Sequence, residues 1–92
     1  MQITYDPAKR DKTLEERGLD FEDAPEVFDG LTYTDPADER QDYGEDRYIT
    51  AGFLRGKMVV LVWTPKGDVR RIISMRYCHA DEQALWRKKG LA

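Results

Sequence analysis

The chain has 92 residues, a net charge of −3, 40% hydrophobic and 36% charged residues, which is one domain's length with room for one modest core under a heavily solvated surface. No stretch reaches the ~20 apolar residues of a membrane helix, and Met1 to Asp6 lacks the basic region and apolar run of a secretory signal. The one cysteine, Cys78, can form no internal disulfide and, beside the one histidine, His79, no zinc site, so a cytoplasmic protein without metal or cofactor is expected.

Ile3 to Tyr5 reads as a short first strand. Asp6-Pro7 then opens a helix, because aspartate caps free N–H groups and proline suits the first helical position. That helix should reach about Arg17 and stop at Gly18. Its apolar content is only Ala8 and Leu14, so it belongs on the surface. Asp20 and Asp23 resemble a second cap, followed by the inward stripe Phe21, Ala24, Val27 and Phe28. Pro25 should bend this segment or delay its start, and Gly30 ends it.

Leu31 to Thr34 alternates like a strand, and Asp35 to Gly44 is a polar loop, the segment expected to be most mobile. Arg47 to Leu54 is a strand, Arg55-Gly56 a tight turn, and Met58 to Trp63 a nearly unbroken apolar strand suited to the centre of a sheet. Pro65 to Asp68 is a turn and Val69 to Cys78 the last strand. Ala80 to Lys89 is a helix with Asp81 and Glu82 in its first turn and Lys88 and Lys89 in its last, as the helix dipole favours. The pattern predicts a single α+β domain over residues 1–92, with an antiparallel sheet of about four strands, two N-terminal helices and a C-terminal helix.

Charge is unevenly placed. Residues 1–45 carry five Lys and Arg against fourteen Asp and Glu, and residues 46–92 carry ten against four. Either the molecule has an acidic and a basic face, of which the basic one can meet phosphates, or acidic helices simply precede a basic sheet.

Two turns allow a register to be inferred. With Arg55-Gly56 as a two-residue turn, Leu54 pairs with Lys57 and Tyr48 with Trp63. With Pro65 to Asp68 as a four-residue loop, Trp63 pairs with Arg70, Leu61 with Ile72, Val59 with Ser74 and Lys57 with Arg76. Alternation then puts Ile49, Ala51, Phe53, Met58, Val60, Val62, Ile73 and Met75 on one face, a core for the helices. The other face holds Tyr48, Thr50, Lys57, Trp63, Arg70, Ser74 and Arg76 around Val59, Leu61 and Ile72. Rings and cations on one exposed face suit single-stranded RNA, with bases stacking on the rings and cations holding phosphates. The alternative is an ordinary half-exposed face whose Lys and Arg stems lie over apolar residues.

Arg47 and Arg71 fall on the core side, at the sheet end near Glu45. They either pair with the acidic helices or flank a phosphate, with Glu45 as the nearest candidate base. His79 is the obvious proton-transfer group if one is needed, or else an exposed or structural histidine. Cys78 reads as a buried, inert thiol.

Asp6, Lys9, Gly18, Phe21, Glu45-Asp46-Arg47, Gly52, the run Val59 to Thr64, Arg71-Ile72-Ile73-Ser74-Met75-Arg76 and Glu82 together resemble the BrnT toxins. The most specific piece is Arg71 to Arg76, where only Met75 departs from the family's Arg-Ile-Ile-Ser-Ala-Arg, supported by Glu45-x-Arg47. Other departures are Tyr5 for the usual tryptophan, Thr13 for asparagine, Glu16-Arg17 for Lys-His, Cys78 for alanine and Trp86 for tyrosine. The resemblance implies a RelE-like fold and a ribonuclease toxin of a type II toxin–antitoxin pair that inhibits translation. It also implies neutralisation by a BrnA-like antitoxin with a ribbon-helix-helix domain, through which alone DNA is met. By position it makes Glu45, Arg47, Arg71 and Arg76 the catalytic candidates, for metal-independent cleavage by the RNA 2′-hydroxyl; Lys57, Trp63, Arg70, Ser74 and Tyr48 are the RNA-binding ones from the face assignment. The lost Lys-His pair keeps open a second possibility, a module without activity that serves as the antitoxin's partner in repression.

Overall fold

In the computed structural model, which describes residues 1–37 and 45–91, the chain runs β1 (Gln2–Tyr5), α1 (Pro7–Arg17), a 3₁₀ turn (Phe21–Asp23), α2 (Ala24–Asp29), β2 (Tyr33–Pro36), β3 (Tyr48–Leu54), β4 (Lys57–Lys66), β5 (Val69–Tyr77) and α3 (Ala80–Lys89). Most of the polar loop expected between Asp35 and Gly44 lies outside the described residues, and β2 takes its first two positions. The helix signals act as local chemistry dictates. The Asp6 carboxylate accepts from the Ala8 N–H at 3.0 Å, and Asp20 accepts from the Glu22 N–H at 2.9 Å. Gly18 closes α1 at φ 71°, in the left-handed region. Asp23 makes no side-chain cap, and Pro25 sits in the first turn of α2, where its missing N–H is not needed.

The sheet has five strands in the order β1-β5-β4-β3-β2. It is mixed, because β1 runs parallel to β5 while every other neighbouring pair is antiparallel. This corrects the expected antiparallel sheet of about four strands. Both four-residue edge strands fall where the sequence predicts short strands, with β2 shifted two residues on, but a short segment does not reveal its partner, and β1 is placed in parallel only by the long β5 that offers it an edge.

The first hairpin has the inferred register, from Leu54 opposite Lys57 to Tyr48 opposite Trp63. Arg55 (φ 50°) and Gly56 (φ 85°) both adopt the left-handed conformation that such a two-residue turn requires. The second hairpin differs. β4 continues through Pro65 to Lys66, which pairs with Val69, so the turn is Gly67-Asp68 and Trp63 pairs with Ile72. A bulge then leaves Ile73 unpaired, and beyond it Val62 faces Ser74, Leu61 faces Met75 and Val59 faces Tyr77. One extra residue reverses the alternation of everything after it.

Both faces of the sheet are consequently buried over part of their area. Leu54, Val59, Leu61, Trp63, Ile72 and Met75 pack under Leu19, Phe21, Ala24 and Val27. Ala51, Met58 and Val60 on the other face pack with Cys78, Trp86 and Leu91. The Lys89–Asp35 ion pair at 2.7 Å ties the far end of α3 to β2. The face expected to display rings and cations is therefore the larger core. Trp63 meets Phe28 edge-on at 5.6 Å and Tyr48 at 5.1 Å, and the Arg70 guanidinium lies between the Phe28 and Trp63 rings at 4.5 and 4.4 Å. Lys57 is exposed at the hairpin, 5.6 Å from the Tyr77 ring centre, while Arg76 is on the opposite face. The apolar stripe of residues 19–28 needs an apolar sheet surface, and the face rich in Val59 and Leu61 supplies it.

Close packing of α2 on β3 depends on Gly52. A β-carbon there would stand 2.8 Å from the Val27 Cγ1 and 3.1 Å from the Thr32 Cγ2. Gly52→Ala should lower unfolding stability by about 1–3 kcal/mol through overpacking, read as a reduced urea midpoint at unchanged m-value.

Candidate active site

Helix α3 packs on one end of its sheet face, against Ala51, Met58 and Val60, and the other end of that face carries the candidate residues. Arg47, immediately before β3, comes beside Thr64, whose hydroxyl donates to the Asp46 carbonyl. Thr64 pairs with Arg71 of β5, and Arg71 with Thr4 of β1. Alternation thus sets Arg47, Thr64, Arg71 and Thr4 in a row on one face, with Ile49, Val62 and Ser74 in the next row. Arg71, Val62 and Ser74 are half-exposed there. Arg47 and Arg71 stand two strand spacings apart, ~10 Å between backbones. Two arginine side chains can converge on one phosphate across that gap.

Glu45 lies at the rim of this row. Its carboxylate accepts from the Lys66 Nζ at 3.0 Å and the Arg47 Nε at 3.1 Å. Lys66 first and then Arg47 hold its carboxyl below the usual carboxylate range. It is ionised at neutral pH and is a weak base. Arg71 makes no hydrogen bond or ion pair with any described residue. Its side chain is half-exposed.

Arg76 is apart from this group. It lies five positions further along β5, on the same side as α3, and makes a two-pronged ion pair with Glu82 at 2.6 and 2.7 Å. The hydrogen bond lowers the Glu82 carboxyl and raises the Arg76 guanidinium. The structure thus brings Glu45, Arg47 and Arg71 together and leaves Arg76 engaged elsewhere. Of Lys57, Trp63, Arg70, Ser74 and Tyr48, Ser74 alone shares the face of Arg47 and Arg71. Sequence reasoning missed Lys66, because its approach to Glu45 depends on β4 running past Pro65.

His79 is exposed at the start of α3, where its side chain makes no capping bond. Cys78 is buried, and burial first, then Glu82, pushes its thiol up to about 11. At pH 8 it should react with a disulfide reagent roughly two orders of magnitude more slowly than in the urea-unfolded chain, since only thiolate attacks. Equal rates in the two states, followed by absorbance of the released thiol, would contradict the buried placement.

These features define a small α+β domain that sets two arginines on one sheet face, one of them, Arg71, half-exposed and without an ion pair among the described residues. The chain belongs to the BrnT family: the model described as "Ribonuclease toxin, BrnT, of type II toxin-antitoxin system" matches residues 5–82. The match spans Glu45, Arg47, Arg71, Arg76 and Glu82. Membership in a type II system implies an antitoxin partner. A search among curated proteins gives no significant match. No helix among the described residues is long and apolar enough to cross a membrane.

Proposed function

We propose that this protein is an endoribonuclease that inhibits translation, with its catalytic surface at the end of the sheet face shared by Arg47 and Arg71. The observation that carries this reading is the pair of arginines flanking Thr64, one of them without any anionic partner among the described residues, in a chain of a ribonuclease family. In the reaction the 2′-oxygen of the RNA attacks the adjacent phosphorus and the bond to the 5′-oxygen breaks. The products are a 2′,3′-cyclic phosphate and a 5′-hydroxyl. Glu45 takes the 2′-hydroxyl proton, and the departing 5′-oxygen acquires one from water. Since Glu45 is a weak base, the arginines carry most of the rate enhancement by stabilising charge on the phosphorane. The nucleophile belongs to the substrate and the cations to the protein, so the step needs no metal. Arg76 joins only where substrate displaces Glu82 from it.

The same reading gives the protein a cytoplasmic place and a BrnA-like ribbon-helix-helix antitoxin, with DNA met only through that partner. The test is cleavage of a short RNA by the pure protein in excess chelator. Cutting should persist, leave 2′,3′-cyclic phosphate ends, and vanish at a position carrying a single 2′-deoxy substitution. Loss of cutting on chelation would overturn the metal-independent step.

A second reading, an inactive partner of the antitoxin in repression, is favoured by two side chains that are already committed. Arg76 is held in a two-pronged ion pair by Glu82, and Arg17, one of the residues replacing the usual Lys-His pair, donates to the Met75 carbonyl at 3.0 Å. A protein that binds the antitoxin tightly but leaves RNA intact would select it.

A further inference from the structure

Helix α1 turns an unusual side toward the sheet. Lys9, Lys12, Glu16 and Arg17 recur at the spacing of one helix face, and together with Ile73 and Ser74 of β5 they line a groove of about 220 Å³. A helix packed on a sheet normally buries an apolar stripe there, yet α1 has no buried residue. Arg17 has a structural use, its bond to the Met75 carbonyl. Lys9 and Lys12 have none: both are exposed, and neither makes an ion pair or hydrogen bond with a described residue. Ile73 and Ser74, at the β5 bulge, form the other wall.

Ser74 connects this groove to the candidate active site. It lines the groove and also occupies the row next to Arg47 and Arg71 on the same sheet face. A chain leaving the space between those arginines along β5 meets Ser74 and then the two lysines.

We propose that the groove between α1 and β5 is a subsite for the phosphodiester backbone of single-stranded RNA, flanking the scissile bond; this rests on the nuclease reading above. Lys9 and Lys12 are three residues apart, a rise of about 4.5 Å along the helix, so each meets a separate phosphate while Ser74 offers a hydroxyl donor. Glu16, in the same groove, opposes the strand and limits affinity.

The test uses a short 2′-O-methyl RNA that cannot be cut, so binding is read apart from catalysis. Fluorescence anisotropy is recorded over a salt series. Each phosphate neutralised in single-stranded nucleic acid adds ~0.7 to the slope of log affinity against log salt. Lys9→Ala with Lys12→Ala should therefore flatten that slope by about 1.4 and weaken binding, while Glu16→Lys should tighten it. Lys88→Ala, at an exposed lysine of α3 outside the groove, should leave the slope unchanged. Folding is not at risk, because the substituted side chains are exposed and alanine favours helix. A double variant with wild-type slope and affinity, or a wild-type protein that does not bind the probe, overturns the subsite. Wild-type protein that binds through the lysines but cuts no cleavable RNA sinks the nuclease reading and leaves the groove as an RNA-backbone binding site without a scissile bond beside it.

Discussion

Arg71→Ala should lower the rate of RNA cleavage about 10²–10³-fold, the usual loss when one preorganised donor to a developing oxyanion is removed. The expectation is sharp because Arg71 has no anionic partner among the described residues. Its removal strands no buried carboxylate, so stability should move by only ~0.5 kcal/mol, the range of most surface substitutions. Arg71→Lys should recover part of the activity, since it keeps the charge but loses the planar two-pronged donor. Arg47→Ala is a less clean experiment, because it also leaves Glu45 with one fewer cation. Initial cleavage rates together with thermal unfolding distinguish these effects. An Arg71→Ala protein with unchanged rate would remove this row from the active site.

Trp63→Ala should cost about 3–5 kcal/mol of unfolding free energy, a large share of the ~5–15 kcal/mol that holds a domain together. Trp63 is 9% exposed, and it bridges Phe28, Tyr48 and Arg70. Its indole N–H donates to the Thr50 hydroxyl at 2.8 Å, and that hydroxyl also bonds Thr34 at 2.7 Å. Truncation removes the ring contacts, opens a cavity and releases Arg70 from its stack. Lys57→Ala, at an exposed site on the same face, should barely change stability. Urea unfolding reads the contrast. If Trp63→Ala kept wild-type stability and lost only RNA binding, Trp63 would be a stacking platform and the packing described here would be wrong.

These two residues differ in how much of their placement was legible in the sequence. Arg71 is a catalytic candidate only through the family resemblance, but its place on the face of Arg47 follows from simple alternation near the sheet end. Trp63 was placed on the correct strand and opposite the correct partner, Tyr48, but assigned to the solvent. Both sheet faces are apolar enough to be a core, since β4 reads Met58-Val59-Val60-Leu61-Val62-Trp63 without a polar break. Nothing local says which face residues 19–28 will cover. The grouping of Lys9 and Lys12 with Ser74 is invisible for the same reason, as it joins two segments more than sixty residues apart.

The sequence by itself determined what short-range chemistry controls: the helix starts at Asp6-Pro7 and Asp20, the stop at Gly18, the Arg55-Gly56 turn with the register of its hairpin, and the family, through Glu45-x-Arg47 and Arg71 to Arg76. Tertiary structure alone decided the parallel docking of β1, the extension of β4 past Pro65, the bulge at Ile73 and the covering of each face by its helix. Caps and turns are satisfied by neighbours within a few residues. Strand phase and face burial are settled only by the whole apolar area removed from water, and a single inserted residue exchanges one face for the other.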